Sequence, residues 1–94
     1  MGARRVNFPL GQTVATPGAL EALGQAGQLP FHFLARHSRG DWGELCPADK
    51  RANDRALREG DRLLSAYKTS TGERLWVITE ADRSATTILL PSEY

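Results

Sequence analysis

The sequence has one cysteine, no long apolar run and almost no net charge, and each shortage removes a class of protein. Cys46 alone can form neither an intrachain disulfide nor a multi-cysteine zinc site, which agrees with a reducing compartment. No apolar run approaches the roughly twenty residues of a membrane span. No hydrophobic stretch follows Arg4-Arg5, as a secretory signal would require. The expectation is a cytoplasmic protein with no membrane segment. A formal charge of +1 lacks the concentrated basic face of a duplex-binding domain. The charge is spread unevenly, +3 over Met1–Gly40, −2 over Asp41–Asp61 and zero over Arg62–Tyr94, which leaves room for a local basic patch.

What remains describes a single domain. At 94 residues, 40% hydrophobic and 24% charged, the chain is long enough for one core and too short for two. No repeat or low-complexity tract is visible, and residues 1–5 are expected to be a flexible end.

Three alternating segments, each bounded by turn residues, predict an antiparallel meander over residues 62–91. They are Leu63–Tyr67, Leu75–Thr79 and Thr86–Leu90, separated by Ser70-Thr71-Gly72-Glu73 and Glu80-Ala81-Asp82-Arg83 and stopped by Pro91. Both parities of these strands carry apolar groups, so both sheet faces need a cover, and an uncovered one would mark a dimer or target surface. Val6–Leu10 alternates briefly and is expected to add an edge strand, with Pro9 confining it to that position.

Residues 16–60 read as mainly helical. Thr16 is placed to cap a helix opened by Pro17 and stopped by Gly27. Pro30 opens a second helix that Gly40 closes, and the tight connection between them predicts a helical hairpin presenting Leu20, Leu23, Phe31 and Leu34 on its apolar side. Pro47 opens a third helix running to Glu59, with Gly60 beyond it. Its inner face is thin, Ala52, Ala56 and Leu57, and Lys50–Asp54, Asp54–Arg58 and Arg55–Glu59 have the i,i+4 spacing of surface ion pairs. The class is α+β: an N-terminal extended segment, a helical hairpin and a third helix on a three- to four-stranded antiparallel meander.

Three blocks carry a resemblance: Gly40–Leu45, Ala48–Leu57, and Trp76–Ser84 continued by Leu90–Tyr94. Together they resemble a group of small bacterial proteins carried on plasmids and other mobile elements, labelled plasmid-related or restriction-associated. The likeness runs from about Phe8 to Tyr94. It implies a mobile-element setting, brings no catalytic residues with it, and concerns a chain too short for a methyltransferase or a restriction nuclease.

The sharpest cluster of chemistry is Arg36-His37-Ser38-Arg39-Gly40-Asp41-Trp42-Gly43-Glu44. An imidazole, two guanidiniums and two carboxylates would suffice for a small ribonuclease, with His37 and Glu44 as acid and base, and Arg36, Arg39 and Arg83 stabilising phosphorane charge. The order of elements also resembles toxin nucleases of the RelE and ParE kind. The plainer explanation gives His37 to a helix end and makes Trp42 a core anchor. Thr79, Asp82 and Arg83 would then tie a turn to the helices. His32 and His37 lack metal-ligand spacing. Cys46 beside Pro47 reads as a half-buried spectator rather than a reactive thiol. No phosphate-loop signature is present, and neither a cofactor nor a metal is expected.

The leading expectation is thus a non-enzymatic protein-binding module of a mobile element, an inhibitor of a host defence complex or an accessory regulator. It would act through a protein partner or a second copy of itself, with Trp42, Trp76, Ile78, Leu89 and Arg83 as partner-surface candidates. The alternatives are the toxin-type ribonuclease and a small DNA-binding repressor or antitoxin that reads DNA with the helical hairpin.

Overall fold

The computed structural model describes residues 7–94; the expectations for residues 1–5, and for Val6 at the start of the extended segment, lie outside this range. The elements run β1 (Gln12–Ala15), α1 (Pro17–Ala26), α2 (Pro30–Ser38), α3 (Pro47–Glu59), β2 (Leu63–Lys68), β3 (Arg74–Thr79) and β4 (Ala85–Leu89), ending in a 3-10 turn, Pro91–Glu93. The class is α+β, and the sheet has the order β1-β4-β3-β2. The meander β2-β3-β4 is antiparallel as expected, but β1 runs parallel to β4, so the sheet is mixed rather than wholly antiparallel.

The fourth strand also lies later in the chain than Val6–Leu10. Pro9 cannot donate to a ladder, and Gly11 turns the chain at φ 68°. Only beyond that point do Gln12–Ala15 pair with Ala85–Ile88. The last ladder bond, from Thr16 N–H to Ile88 C=O at 3.0 Å, belongs to the same residue whose hydroxyl accepts from Ala19 N–H as the cap of α1, so strand passes directly into helix. Glu93 completes that junction: its carboxylate accepts from the Thr16 hydroxyl at 2.5 Å and from Gly18 N–H at 3.2 Å. A Cβ on Gly18 would meet the same carboxylate at 2.6 Å, so a larger residue here would displace the Glu93 side chain from the junction. These bonds, that of Thr16 foremost, hold the Glu93 carboxyl below the usual carboxylate range.

One sheet face carries Leu63, Ser65, Tyr67, Leu75, Val77, Thr79, Thr86 and Ile88, all buried. Its apolar members join Ala19, Ala22, Leu23, Phe33 and Leu34 of the hairpin in the main core. A smaller core of Phe8, Trp42 and Leu63 attaches α3 through Ala56 and Leu57.

The opposite face, which would have marked a dimer or target surface had it been uncovered, is largely closed. Ile78 and Leu89 are only 3% and 6% exposed, and Trp76 is half-buried. Tyr94 folds back edge-on to Trp76 with ring centroids 5.6 Å apart, and Arg62 lies over Tyr94 and donates to its hydroxyl at 2.8 Å. Ile78 and Leu89 are therefore not surface residues, and Trp42 is not one either, being buried in the smaller core with Phe8 and Leu63.

The outer edge of β2 is sealed as well. The Asn53 side-chain amide imitates a strand, accepting from Leu64 N–H at 3.2 Å and donating to Leu64 C=O at 2.5 Å. Two residues on, Ala66 N–H donates to Trp42 C=O and Ala66 C=O accepts from Glu44 N–H. Gly43 sits between them at φ 75°, and a Cβ there would fall 2.0 Å from the Ala66 oxygen, so only glycine permits this bridge. An edge so occupied cannot template another strand. Asn53, rather than Ala52, is thus the buried residue of α3. Asp54 accepts from the Trp42 indole at 2.9 Å, and the three expected surface pairs of α3 are not formed: among the described residues Arg36–Asp41 is the one ion pair within 4 Å.

Candidate functional site

The cluster Arg36–Glu44 is split by α2 between the inside and the outside of the molecule. The helix buries Phe33, Leu34 and His37. It is thus rotated from the expected face: Phe31 points out and Phe33 takes its place in the core, because positions 33, 34 and 37 lie over the sheet.

His37 is 0% exposed. Its Nδ1 lies 2.5 Å from the Ser65 hydroxyl and its Nε2 2.8 Å from that of Thr79. Thr79 is bonded to Thr86 at 2.7 Å, and Thr86 donates to the Leu10 carbonyl at 2.7 Å. The carbonyl only accepts, so the single proton of Thr86 is committed to it. Thr79 must then donate to Thr86 and Nε2–H must donate to Thr79, while the Nδ1–Ser65 bond is made with the hydroxyl donating to a neutral ring or accepting from a charged one. These bonds fix a proton on Nε2, and the surroundings of the ring decide its charge. Burial first, and the Arg83 charge second, push its pKa down to about 4. Phe8 and Trp42 wall it in, with ring centroids at 5.1 and 5.7 Å. The ring that anchored the ribonuclease reading reaches no solvent and joins α2, the three meander strands and the N-terminal segment.

Arg83 is likewise bound inward. At φ 62° it is the one non-glycine residue with positive φ among the described residues. Its Nη1 donates to the carbonyls of Asp61, Glu80 and Ala81 at 2.7, 3.1 and 3.1 Å, and its Nη2 reaches Ala56 C=O at 3.5 Å. A cation at the C-terminal carbonyls of α3 suits the helix dipole and ties the β3–β4 turn to that helix, as expected. Asp82 stays local, accepting from Ser84 N–H. Cys46 is exposed rather than half-buried and caps α3 without a side-chain bond. His32 is exposed on the opposite side of α2 from His37, and the described residues hold no group of three metal-ligating side chains.

Outside, the hairpin forms a groove of about 540 Å³ lined by Leu29, Phe31, His32, Ala35, Arg36 and Arg39, with Gly27 and Gln28 at its end. Leu29 and Phe31 are each 73% exposed. Their connection is held in place: Ser70, in the β2–β3 turn, donates its N–H to the Gln28 side chain at 2.9 Å and its hydroxyl to Ala26 C=O at 3.0 Å. Arg36 is fixed at the groove wall. Its Nε donates to Asp41 Oδ2 at 2.7 Å and its Cζ lies over the Tyr67 ring, 4.6 Å from the centroid. Tyr67 donates to Asp41 C=O at 2.5 Å, and Gly43 N–H bonds the second Asp41 oxygen at 3.2 Å. The Arg36 hydrogen bond holds Asp41 below the usual carboxylate range, and burial pushes the Tyr67 phenol up to about 12. Glu44 is exposed and contributes its backbone to the β2 edge.

Of the residues singled out in sequence, the groove brings together Arg36, Arg39 and Phe31, and excludes His37, Trp42 and Arg83. Leu29 carried no signal of its own, since an apolar residue before Pro30 reads as part of the hairpin core. The 32/36/39 spacing was the legible sign, because steps of four and three place side chains on one helical face. Comparison with protein families, with curated proteins and with solved structures finds no match to this chain.

Proposed function

We propose that this is a non-enzymatic protein-binding module that engages its partner through the outer face of the α1–α2 hairpin rather than through the sheet. The observation that carries the reading is the pair Leu29 and Phe31, each 73% exposed on either side of Pro30, where a connection clamped by Ser70 passes into α2. Large apolar side chains exposed to solvent gain free energy on being covered, and a backbone connection already tied in place lowers the ordering cost of binding. The mobile-element setting implied by the resemblance suits such a protein, which would act in the cytoplasm by occupying a surface of a host complex or regulator. No helix among the described residues is long and apolar enough to cross a membrane.

A photo-crosslinking phenylalanine analogue at position 31, irradiated in the natural host, tests this. The expected result is one discrete adduct, lost on Leu29→Ser, with none from the same analogue at Arg51 on α3. Equal labelling at both positions, or none at position 31, defeats the reading. An adduct with a second copy of the chain makes the partner a homodimer.

A further inference from the structure

We propose that the partner segment received by the hairpin groove is acidic, with a carboxylate taking the Nη edge of Arg36 while an adjoining apolar side chain covers Leu29 and Phe31. This rests on the protein-binding reading above and names the partner's chemistry.

His32, Arg36 and Arg39 follow one another along α2 at steps of four and three residues and all line the groove, whose lining contains no carboxylate. Arg36 is held through Nε by Asp41 and through its face by Tyr67. Its two terminal nitrogens have no hydrogen-bond partner among the described residues, and neither does the Arg39 guanidinium. An arginine side chain normally loses rotamer freedom when it binds. Here that ordering is supplied beforehand by Asp41, Tyr67 and Gly43, and the free edge of the fork offers two parallel N–H donors, the geometry that a carboxylate accepts in bidentate fashion.

The same fork would accept a phosphate, but the surroundings favour a protein segment. Asp41 already neutralises much of the Arg36 charge, leaving Arg39 as the unpaired guanidinium of the stripe, whereas a nucleic-acid strand requires several cations along its backbone. Leu29 adds an aliphatic surface that offers nothing to a phosphate or ribose.

A displayed random-peptide library selected on the full chain, with counter-selection on the Leu29→Ser/Phe31→Ser variant, separates the outcomes. Sequences that depend on Leu29 and Phe31 and are enriched in Asp and Glu support the inference. Dependent sequences that are neutral or basic overturn it and leave the protein-binding reading standing. The absence of dependent sequences overturns both.

A fluorescein-labelled probe alternating Glu and Leu then tests the role of Arg36. It is expected to bind about tenfold more tightly than its Lys-for-Glu counterpart and to lose about tenfold on Arg36→Gln. Asp41→Asn gives the sharper readout. It makes the protein one unit more positive yet releases the Arg36 clamp, so weaker probe binding is expected from a variant whose thermal unfolding shows it folded. Tighter binding by Asp41→Asn would mean a diffuse electrostatic surface and would overturn the oriented-fork inference. Binding of an oligouridine probe more tightly than the Glu-Leu probe, abolished by Arg39→Glu, would overturn it in favour of single-stranded nucleic acid.

Discussion

The inner and outer faces of α2 differ in how completely their polar atoms are answered. His37 is bonded at both ring nitrogens, within a chain that runs from Ser65 to the Leu10 carbonyl. Arg36, the preceding residue, is held at one nitrogen and by its face, with the rest of its donors open to a groove. Both are basic groups in one segment, and a single step along a helix, about a quarter turn, separates a buried structural role from a place on the wall of an open groove. A buried polar group must be fully satisfied to persist, whereas an exposed one can be held ready because water answers it until a ligand does.

The largest expected break in that comparison is His37→Ala. It removes the ring and leaves the hydroxyls of Ser65 and Thr79 without their partner, so a loss of roughly 3–5 kcal/mol in urea unfolding is expected. A loss below about 1 kcal/mol would show the buried chain to be dispensable.

Acid probes the same group without mutation. The folded pKa of about 4 lies below the ordinary 6.5, so between these values the unfolded chain binds a proton that the folded chain refuses. The contribution of His37 to stability is therefore complete above pH 6.5 and is lost as the pH drops toward 4, by about 3 kcal/mol in all. Unfolding midpoints across this window, with NMR of the ring protons, check it; a ring titrating near 6.5 in the folded protein would refute it.

Next in size is Asn53→Ala. It leaves the N–H and C=O of Leu64 unpaired at the β2 edge, for an expected cost of about 2 kcal/mol. Unchanged urea stability would mean that water replaces the amide without penalty.

Smallest are Leu29→Ser and Phe31→Ser, expected to change unfolding free energy by less than about 0.5 kcal/mol each, with Leu29→Ser also removing the crosslink from the analogue at position 31. A large destabilisation would mean that these side chains belong to the fold and not to a docking surface.

Much of the fold is legible in the amino-acid sequence, because its signals are local. Thr16-Pro17 and Gly27, Pro30, and Pro47 with Gly60 bound the helices where expected, and the meander strands fall within one residue of their alternating segments. The misses share a different cause. Gln12–Ala15 is short and half polar, and becomes a strand only because β4 offers it a ladder. Asn53 looks like one more polar residue on a charged helix until the edge of β2 arrives beside it. Phe31 and Phe33 are equally apolar, and only the angle at which α2 meets the sheet sends one inward and the other out.

The candidate site shows the same division. Local signals alone place a basic, aromatic segment on a helix after Pro30 and a three-stranded meander beneath it, since caps, breakers and periodicity act within a few residues of chain. Which basic group is used internally is settled by how the elements pack. The chain of hydrogen bonds that holds His37 draws on residues from 10 to 86, and the clamp on Arg36 joins Asp41 to Tyr67. Hydrogen bonds between groups so far apart in sequence leave no periodic trace, because each depends on two elements meeting at a distance that neither element sets alone.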